Sequence, residues 1–271
     1  MLRLKTVFLA VVLLVTSVLS PANAGPYEDA AAARESGDNK TALELLLPLA
    51  EQGDAQAQFL VGSLNSGIDG VPQDYAETVK WFRLAADQGH ADAQVMLGAM
   101  YDYGDGVTQD SVEAAKLYRL AADQGHANAQ TMLGEMYHDG NGVPQDSAEA
   151  AKLYRLAADQ GHADAQTLLG VMYDNGNGVA QDYAEAAKWY SLAAEQGDAH
   201  AQFYLGLMYF EGHGVPQDYT LAHMWQNLAA SHSKDPELKD EAVKTRAHVV
   251  TFMSSAQVRE AQRLAREWEP Q

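Results

Sequence analysis

The sequence predicts an all-α solenoid of stacked helix-turn-helix repeats with helices capping its ends, and three observations predict it. A pattern AQ-x-x-LG-x-MY, followed by a glycine loop and VPQD, returns with small variations five times at a spacing of 36 residues. Gln58, Gln94, Gln130, Gln166 and Gln202 stand in step, as do Asp74, Asp110, Asp146, Asp182 and Asp218. Each period holds two amphipathic stretches divided by turn residues. One such helix pair cannot bury its apolar face alone, so a period of this kind means stacking on neighbours.

Residues 1–24 read as a secretory signal. Arg3 and Lys5 precede an apolar run from Val7 to Val15, and Ala22-Asn23-Ala24 supplies a cleavage site after Ala24. The run is shorter than the roughly 20 residues a membrane span needs, so no stable membrane insertion is expected after cleavage. The chain has no cysteine, which excludes disulfide staples, thiolate metal sites and a lipid-modified cysteine at the signal junction. A periplasmic or secreted location follows from the signal.

Residues 25–53 read as a degenerate half-repeat that caps the N-terminal end. Asp38 to Gly53 aligns with a second helix, and Pro48 is expected to kink it or interrupt its hydrogen bonds. Residues 54–233 hold the five repeats. In the copy from His90 to Gly125, Ala91 to about Tyr103 has helical spacing, Gly104 to Gln109 breaks it, and Ser111 to Gln124 is helical again. Asp110 is placed to cap the second helix and Gly125 to end it. Gly98, Gly134, Gly170 and Gly206 each cost a helix interior roughly 1 kcal/mol, so close approach of a neighbouring helix is expected to offset them. Leu117, Leu120 and Ala121 are expected to form the buried stripe, with Trp81, Trp189 and Trp225 in register with Leu117. Residues 234–271 read as capping helices. Asp235-Pro236 starts one, and a Ser254–Gln257 capping box, with Met253 and Val258 as a staple, starts the last, Ala256 to Trp268.

The segment AQTMLGEMYHDGNGVPQDSAEAAKLYRLAADQGH, Ala129 to His162, and its copies resemble the Sel-one-like repeat family, which is related to tetratricopeptide repeats. The resemblance spans about residues 38 to 233. It implies a right-handed, tetratricopeptide-like α-solenoid whose first helices line the concave face, and an adaptor for a protein partner rather than an enzyme. Some exported members are cysteine-rich and disulfide-stapled; this chain departs from them.

No cofactor, metal or catalytic residue is expected. His90, His126 and His162 recur in step, but equivalent positions on stacked helices stand roughly 8 to 10 Å apart and cannot share an ion. They read as helix-start residues, with Asp54 and Asp198 in the other copies. The Gly-x-Gly loops lack the preceding strand of a phosphate cradle and match no calcium loop, so turn geometry accounts for them. Ser231 to Lys234 matches Ser-x-x-Lys, but no Ser-Asp-Asn or Lys-Thr-Gly follows. A glycan- or cell-wall-associated factor, or a β-lactamase-like hydrolase, is the alternative reading.

Without residues 1–24 the net charge is −21, and residues 25–233 hold 30 acidic against 9 basic side chains, while 234–271 hold seven of each. Such a field repels nucleic acid and favours a basic or amphipathic protein segment. Positions that differ between copies are expected to face that partner. On the first helices they form a stripe. It reads Gln56, Phe59, Ser63, Ser66; Asp92, Val95, Ala99, Asp102; Asn128, Thr131, Glu135, His138; Asp164, Thr167, Val171, Asp174; and His200, Phe203, Leu207, Phe210. The candidate contacts are Phe59, Asp92, Asp102, Glu135, His138, Asp164, Asp174, His200, Phe203, Leu207 and Phe210, with Phe203, Leu207 and Phe210 as anchors.

Overall fold

A computed structural model describes residues 25–67 and 71–270; residues 1–24, with the signal assigned to them, lie outside the described part. The chain divides into two compact units that meet between Pro144 and Gln145. Among the described residues the first unit holds α1 (Pro26–Glu35), α2 (Asn39–Glu51), α3 (Ala55–Asn65), α4 (Tyr75–Asp87), α5 (Ala91–Tyr103), α6 (Ser111–Asp123) and α7 (Ala127–Asp139). The second holds α8 (Ser147–Asp159), α9 (Ala163–Asn175), α10 (Tyr183–Glu195), α11 (Ala199–Glu211), α12 (Tyr219–His232), α13 (Pro236–Val250) and α14 (Ser255–Glu267). Within each unit each helix packs on the next in sequence as far as α13, and α14 packs back on α12. No described helix is long and apolar enough to cross a membrane.

Each element begins where a side chain can take up free amide groups. Asp110 Oδ1 accepts the Val112 and Glu113 amides, both at 3.0 Å, and Asp74, Asp146, Asp182 and Asp218 start their helices in the same way. The first helices of copies two to four start at histidine. His90, His126 and His162 each accept an amide at Nδ1, from Ala93, Ala129 and Ala165. Asp54 and Asp198 do the same for α3 and α11. Asp235 with Pro236 starts α13, and Ser254 with Gln257 forms the expected capping box of α14, which begins at Ser255, one residue before the expected Ala256. α2 continues through Pro48, whose missing N–H removes the bond that the Glu44 carbonyl would accept, so the expected interruption is one hydrogen bond and not the end of the helix.

Gly98 and Gly170 are needed because an aromatic ring of the same repeat lies against them, and Gly206 because Gln226 does, its Nε2 2.7 Å from where a Cβ would stand. A Cβ on Gly98 would stand 2.8 Å from Tyr118 Cε1, and one on Gly170 2.6 Å from Tyr190 Cδ1 and Cε1. The offsetting contact is therefore the second helix of the same copy. Trp81, Trp189 and Trp225 are buried with Leu117 and Ala121, as the register predicts. Leu120 is not: it is 52% exposed, as its counterparts Leu84, Leu156 and Leu192 are exposed, because it lies beyond the arc of α6 that reaches a neighbour.

The glutamines that mark the period tie helices together. Gln94 Nε2 donates to Ala86 O at the end of α4 (3.2 Å), while its Oε1 accepts from Gln124 Nε2 at the end of α6 (2.8 Å). Gln58 and Gln166 repeat this with Ala50 and Gln88, and with Ala158 and Gln196. In the last copy His232 takes the place of the second glutamine against Gln202. Each buried amide thus satisfies a helix-end carbonyl that lacks an intrahelical donor.

Candidate binding surface on the first helices

The first helices and the loops after them, residues 54–74, 90–110, 126–146, 162–182 and 198–218, carry no lysine or arginine. Every cation of the repeats sits on a second helix and is engaged there. Lys80, Lys116, Lys152 and Lys188 pair with a glutamate three residues earlier. Arg83, Arg119 and Arg155 donate to Tyr101, Tyr137 and Tyr173. Surface pairs of this kind add little stability, but they leave the acidic excess on the first-helix side.

The stripe is only partly accessible. Its second position is buried in every copy: Phe59, Val95, Thr131, Thr167 and Phe203. Phe59, 5% exposed, stacks on His90 at 4.8 Å and on Phe82 at 5.7 Å between ring centroids. Phe203, 6% exposed, is covered by Leu238 and Ala242 of α13. These two side chains are core, and the expectation that they face a partner is corrected. Ser63, Ser66, Val95 and Ala99 are buried as well.

Variation between copies there records the neighbour each copy packs against. His90 Nε2 meets Gln56 Oε1 at 3.0 Å and His126 Nε2 meets Asp92 Oδ1 at 3.0 Å. Where aspartate replaces the histidine, Thr167 Oγ1 donates to Asp198 at 2.9 Å.

In the first unit, Asp92, Asp102, Asn128, Glu135 and His138 are half-buried. Asp102 and Glu135 are brought together on the wall of one cavity of about 250 Å³, with Tyr103, Gln109, Tyr118, Met132, Met136, Asp139 and Asn141. Asn141 Nδ2 donates to Asp102 Oδ1 at 3.3 Å. In the second unit Asp164 and His200 are exposed, and Val171, Asp174, Leu207 and Phe210 are half-buried. Burial lifts the Asp174 carboxyl above its ordinary value, opposed by nearby His213 and reinforced by Glu211. Leu207, half-buried, packs against the Phe203 cluster. Phe210 joins Tyr219, His248 and Phe252, with ring centroids 5.4 to 5.8 Å apart around it.

Tyr118 escaped the sequence reading because it repeats as Tyr154 and Tyr190 and passes for plain core. What singles it out is the cavity beside it, and no spacing signals a cavity. Ser231 Oγ donates to the Asn227 carbonyl at 2.9 Å near the end of α12, bound as an ordinary helical serine. Among the described residues no three His, Asp or Glu side chains converge as a metal set.

The Sel1 repeat model matches residues 55–90, 91–126, 127–162, 163–198 and 199–233. The chain is similar to a Sel1 repeat protein from Oxalobacter formigenes, at 30% identity and a TM-score of 0.75, covering 92% of this chain and 100% of that one. It is also similar to a protective antigen of uropathogenic Escherichia coli with an SLR fold, at 30% identity and a TM-score of 0.73, covering 89% of this chain. This chain spans 61% of that antigen's length. No curated protein matches it. Five consecutive repeat matches and two full-array likenesses together place the chain in the Sel1 repeat family.

Proposed function

We propose that this Sel1 repeat protein is an exported, non-catalytic scaffold that binds a basic or amphipathic protein segment along the accessible first-helix positions. The observation that carries this reading is the segregation of charge: the first helices and their loops lack lysine and arginine, while aspartate and glutamate recur on them. A potential of one sign over a repeated face steers an oppositely charged partner and repels nucleic acid. The accessible contacts are Asp92, Asp102, Glu135 and His138 in the first unit and Asp164, Asp174, His200, Leu207 and Phe210 in the second.

A photocrosslinking residue at Asp92 or Asp164 and, as control, at Lys116 or Lys152 tests this against a labelled basic amphipathic peptide and its acidic counterpart. Crosslinking of the basic peptide from the first-helix positions, weakened by salt, is expected. Equal crosslinking from both faces, or of both peptides, overturns the reading. Export is tested separately, by fractionation and the N-terminal sequence of the mature chain, which should begin at Gly25.

A further inference from the structure

We infer that the cavity beside Tyr118 is a pocket for a single cationic side chain, the guanidinium or ammonium of an arginine or lysine on the bound segment. This rests on the proposed function and gives it a defined site. The cavity lies wholly within the first unit. Tyr118 forms its floor from α6, Asp102, Tyr103 and Gln109 come from the end of α5 and the loop after it, and Met132, Glu135, Met136, Asp139 and Asn141 come from α7 and its loop.

Tyr118 is 1% exposed and its hydroxyl has no hydrogen-bond partner. A buried hydroxyl left without a partner is costly, by about 1–3 kcal/mol, and points to a missing one. The charged and phenolic groups that act on it are Asp102, Tyr103 and Glu135, all on the cavity wall, which places the hydroxyl toward the cavity. Burial first, and then these groups, push its pKa well above the ordinary value, so it stays a neutral phenol. In that state its oxygen can accept from a cation while its proton turns toward a carboxylate.

The remaining wall suits the same guest. Asp102, Glu135 and Asp139 supply negative charge, Met132 and Met136 offer adaptable apolar contact for an aliphatic stem, and Tyr103, 38% exposed, stands as an aromatic ring near the opening. A volume of about 250 Å³ is below that of ordinary small-molecule pockets, about 300–1,000 Å³, and fits one long side chain.

The test uses the full chain with ¹³C-methyl methionine, because Met132 and Met136 report from the wall. Acetyl-arginine amide is titrated against acetyl-citrulline amide, which has nearly the same shape without the charge. Saturable shifts at Met132 and Met136 with the arginine probe alone are expected. Tyr118→Phe should weaken it about fivefold, the weight of one hydrogen bond of about 1 kcal/mol, with the spectrum otherwise retained. Glu135→Gln should weaken it by at least as much, because it removes a charge. Absence of saturation, equal response to citrulline, or unchanged affinity in Tyr118→Phe overturns the pocket. If the basic peptide still crosslinks at Asp92 while the arginine probe leaves both methionines unmoved, the pocket fails and the binding face stands. If neither binds, both fail.

Discussion

Tyr118 in the first unit and Tyr190 in the second occupy the same repeat position, under Gly98 and Gly170, and beside Asp102 and Asp174. Their surroundings differ. Beside Tyr118 stand Met132 and Glu135, which leave the cavity of about 250 Å³. At the corresponding positions stand Tyr204, stacked on Tyr190 with ring centroids 5.1 Å apart, and Leu207. Among the lining positions that differ, Tyr204 in place of Met132 supplies the ring that packs on Tyr190, and Leu207 in place of Glu135 removes a carboxylate. The scaffold residues stay the same, so local function in this array is set by residues that leave the period intact.

Removing the rings breaks the comparison most severely. Tyr190→Ala should lower stability by about 3–5 kcal/mol, the range for deleting a buried aromatic side chain. Tyr118→Ala should cost about 1 kcal/mol less, because it loses no aromatic stack and its packing is already incomplete. Urea unfolding of both variants measures the difference, and equal losses would show that Tyr204 contributes nothing to the Tyr190 site.

The glycines sharpen the same contrast at smaller scale. A Cβ at position 170 meets the Tyr190 ring at 2.6 Å with Tyr204 behind it, whereas one at position 98 meets Tyr118 at 2.8 Å with a cavity into which the ring can shift. Overpacking costs roughly 1–3 kcal/mol, and replacing a helical glycine returns about 1 kcal/mol. Gly170→Ala should therefore destabilise by about 2 kcal/mol while Gly98→Ala stays near neutral, as the thermal midpoints of the two variants will show.

The period, the helix pairs, the aspartate and histidine caps and the crowded glycines were all legible in the sequence, because each follows from local backbone chemistry repeated five times. Asp110 must cap whatever helix follows it, and Gly98 must face something close. The stripe was harder to read. Phe59 and Phe203 differ from their counterparts because His90, Phe82 and α13 lie against them, so copy-to-copy variation marked a packing neighbour and not exposure. Leu120 failed for the converse reason: it is apolar and held alike across copies, yet sits outside the buried arc. Pairing of Gln94 with Gln124 and the void beside Tyr118 depend on residues about 30 and 15 positions apart whose meeting no local rule encodes.

The two sites can be exchanged. Met132→Tyr with Glu135→Leu should fill the hollow, stabilise the chain by about 1 kcal/mol through one added ring stack, and abolish the response to acetyl-arginine amide. Stabilisation without loss of the probe would place the cation elsewhere. The reverse pair, Tyr204→Met with Leu207→Glu, should destabilise the chain and open a hollow beside Tyr190. Calorimetry and the same titration read both arms.

The smallest effect lies at the starts of the first helices, where His90 in the first unit does what Asp198 does in the second. Neutral His90 accepts the Ala93 amide at Nδ1, and burial depresses its pKa below 6.5, with Asp92 and Asp54 opposing and His126 adding to the depression. Protonation removes the acceptor. The folded state therefore resists the proton more than the unfolded chain does, and the stability from this group is complete above pH 6.5 and falls as pH drops through 6.5 toward the lower folded value. One cap is worth about 1 kcal/mol, which bounds the loss. His90→Asp supplies a carboxylate acceptor that stays charged through that window, as Asp198 does for Ala201. The drop in thermal midpoint between pH 7.5 and 5.5 should therefore be smaller in His90→Asp than in the parent chain. An identical drop would mean that the acid sensitivity of the array lies in other groups, of which His223 and His232, both depressed by burial, come first.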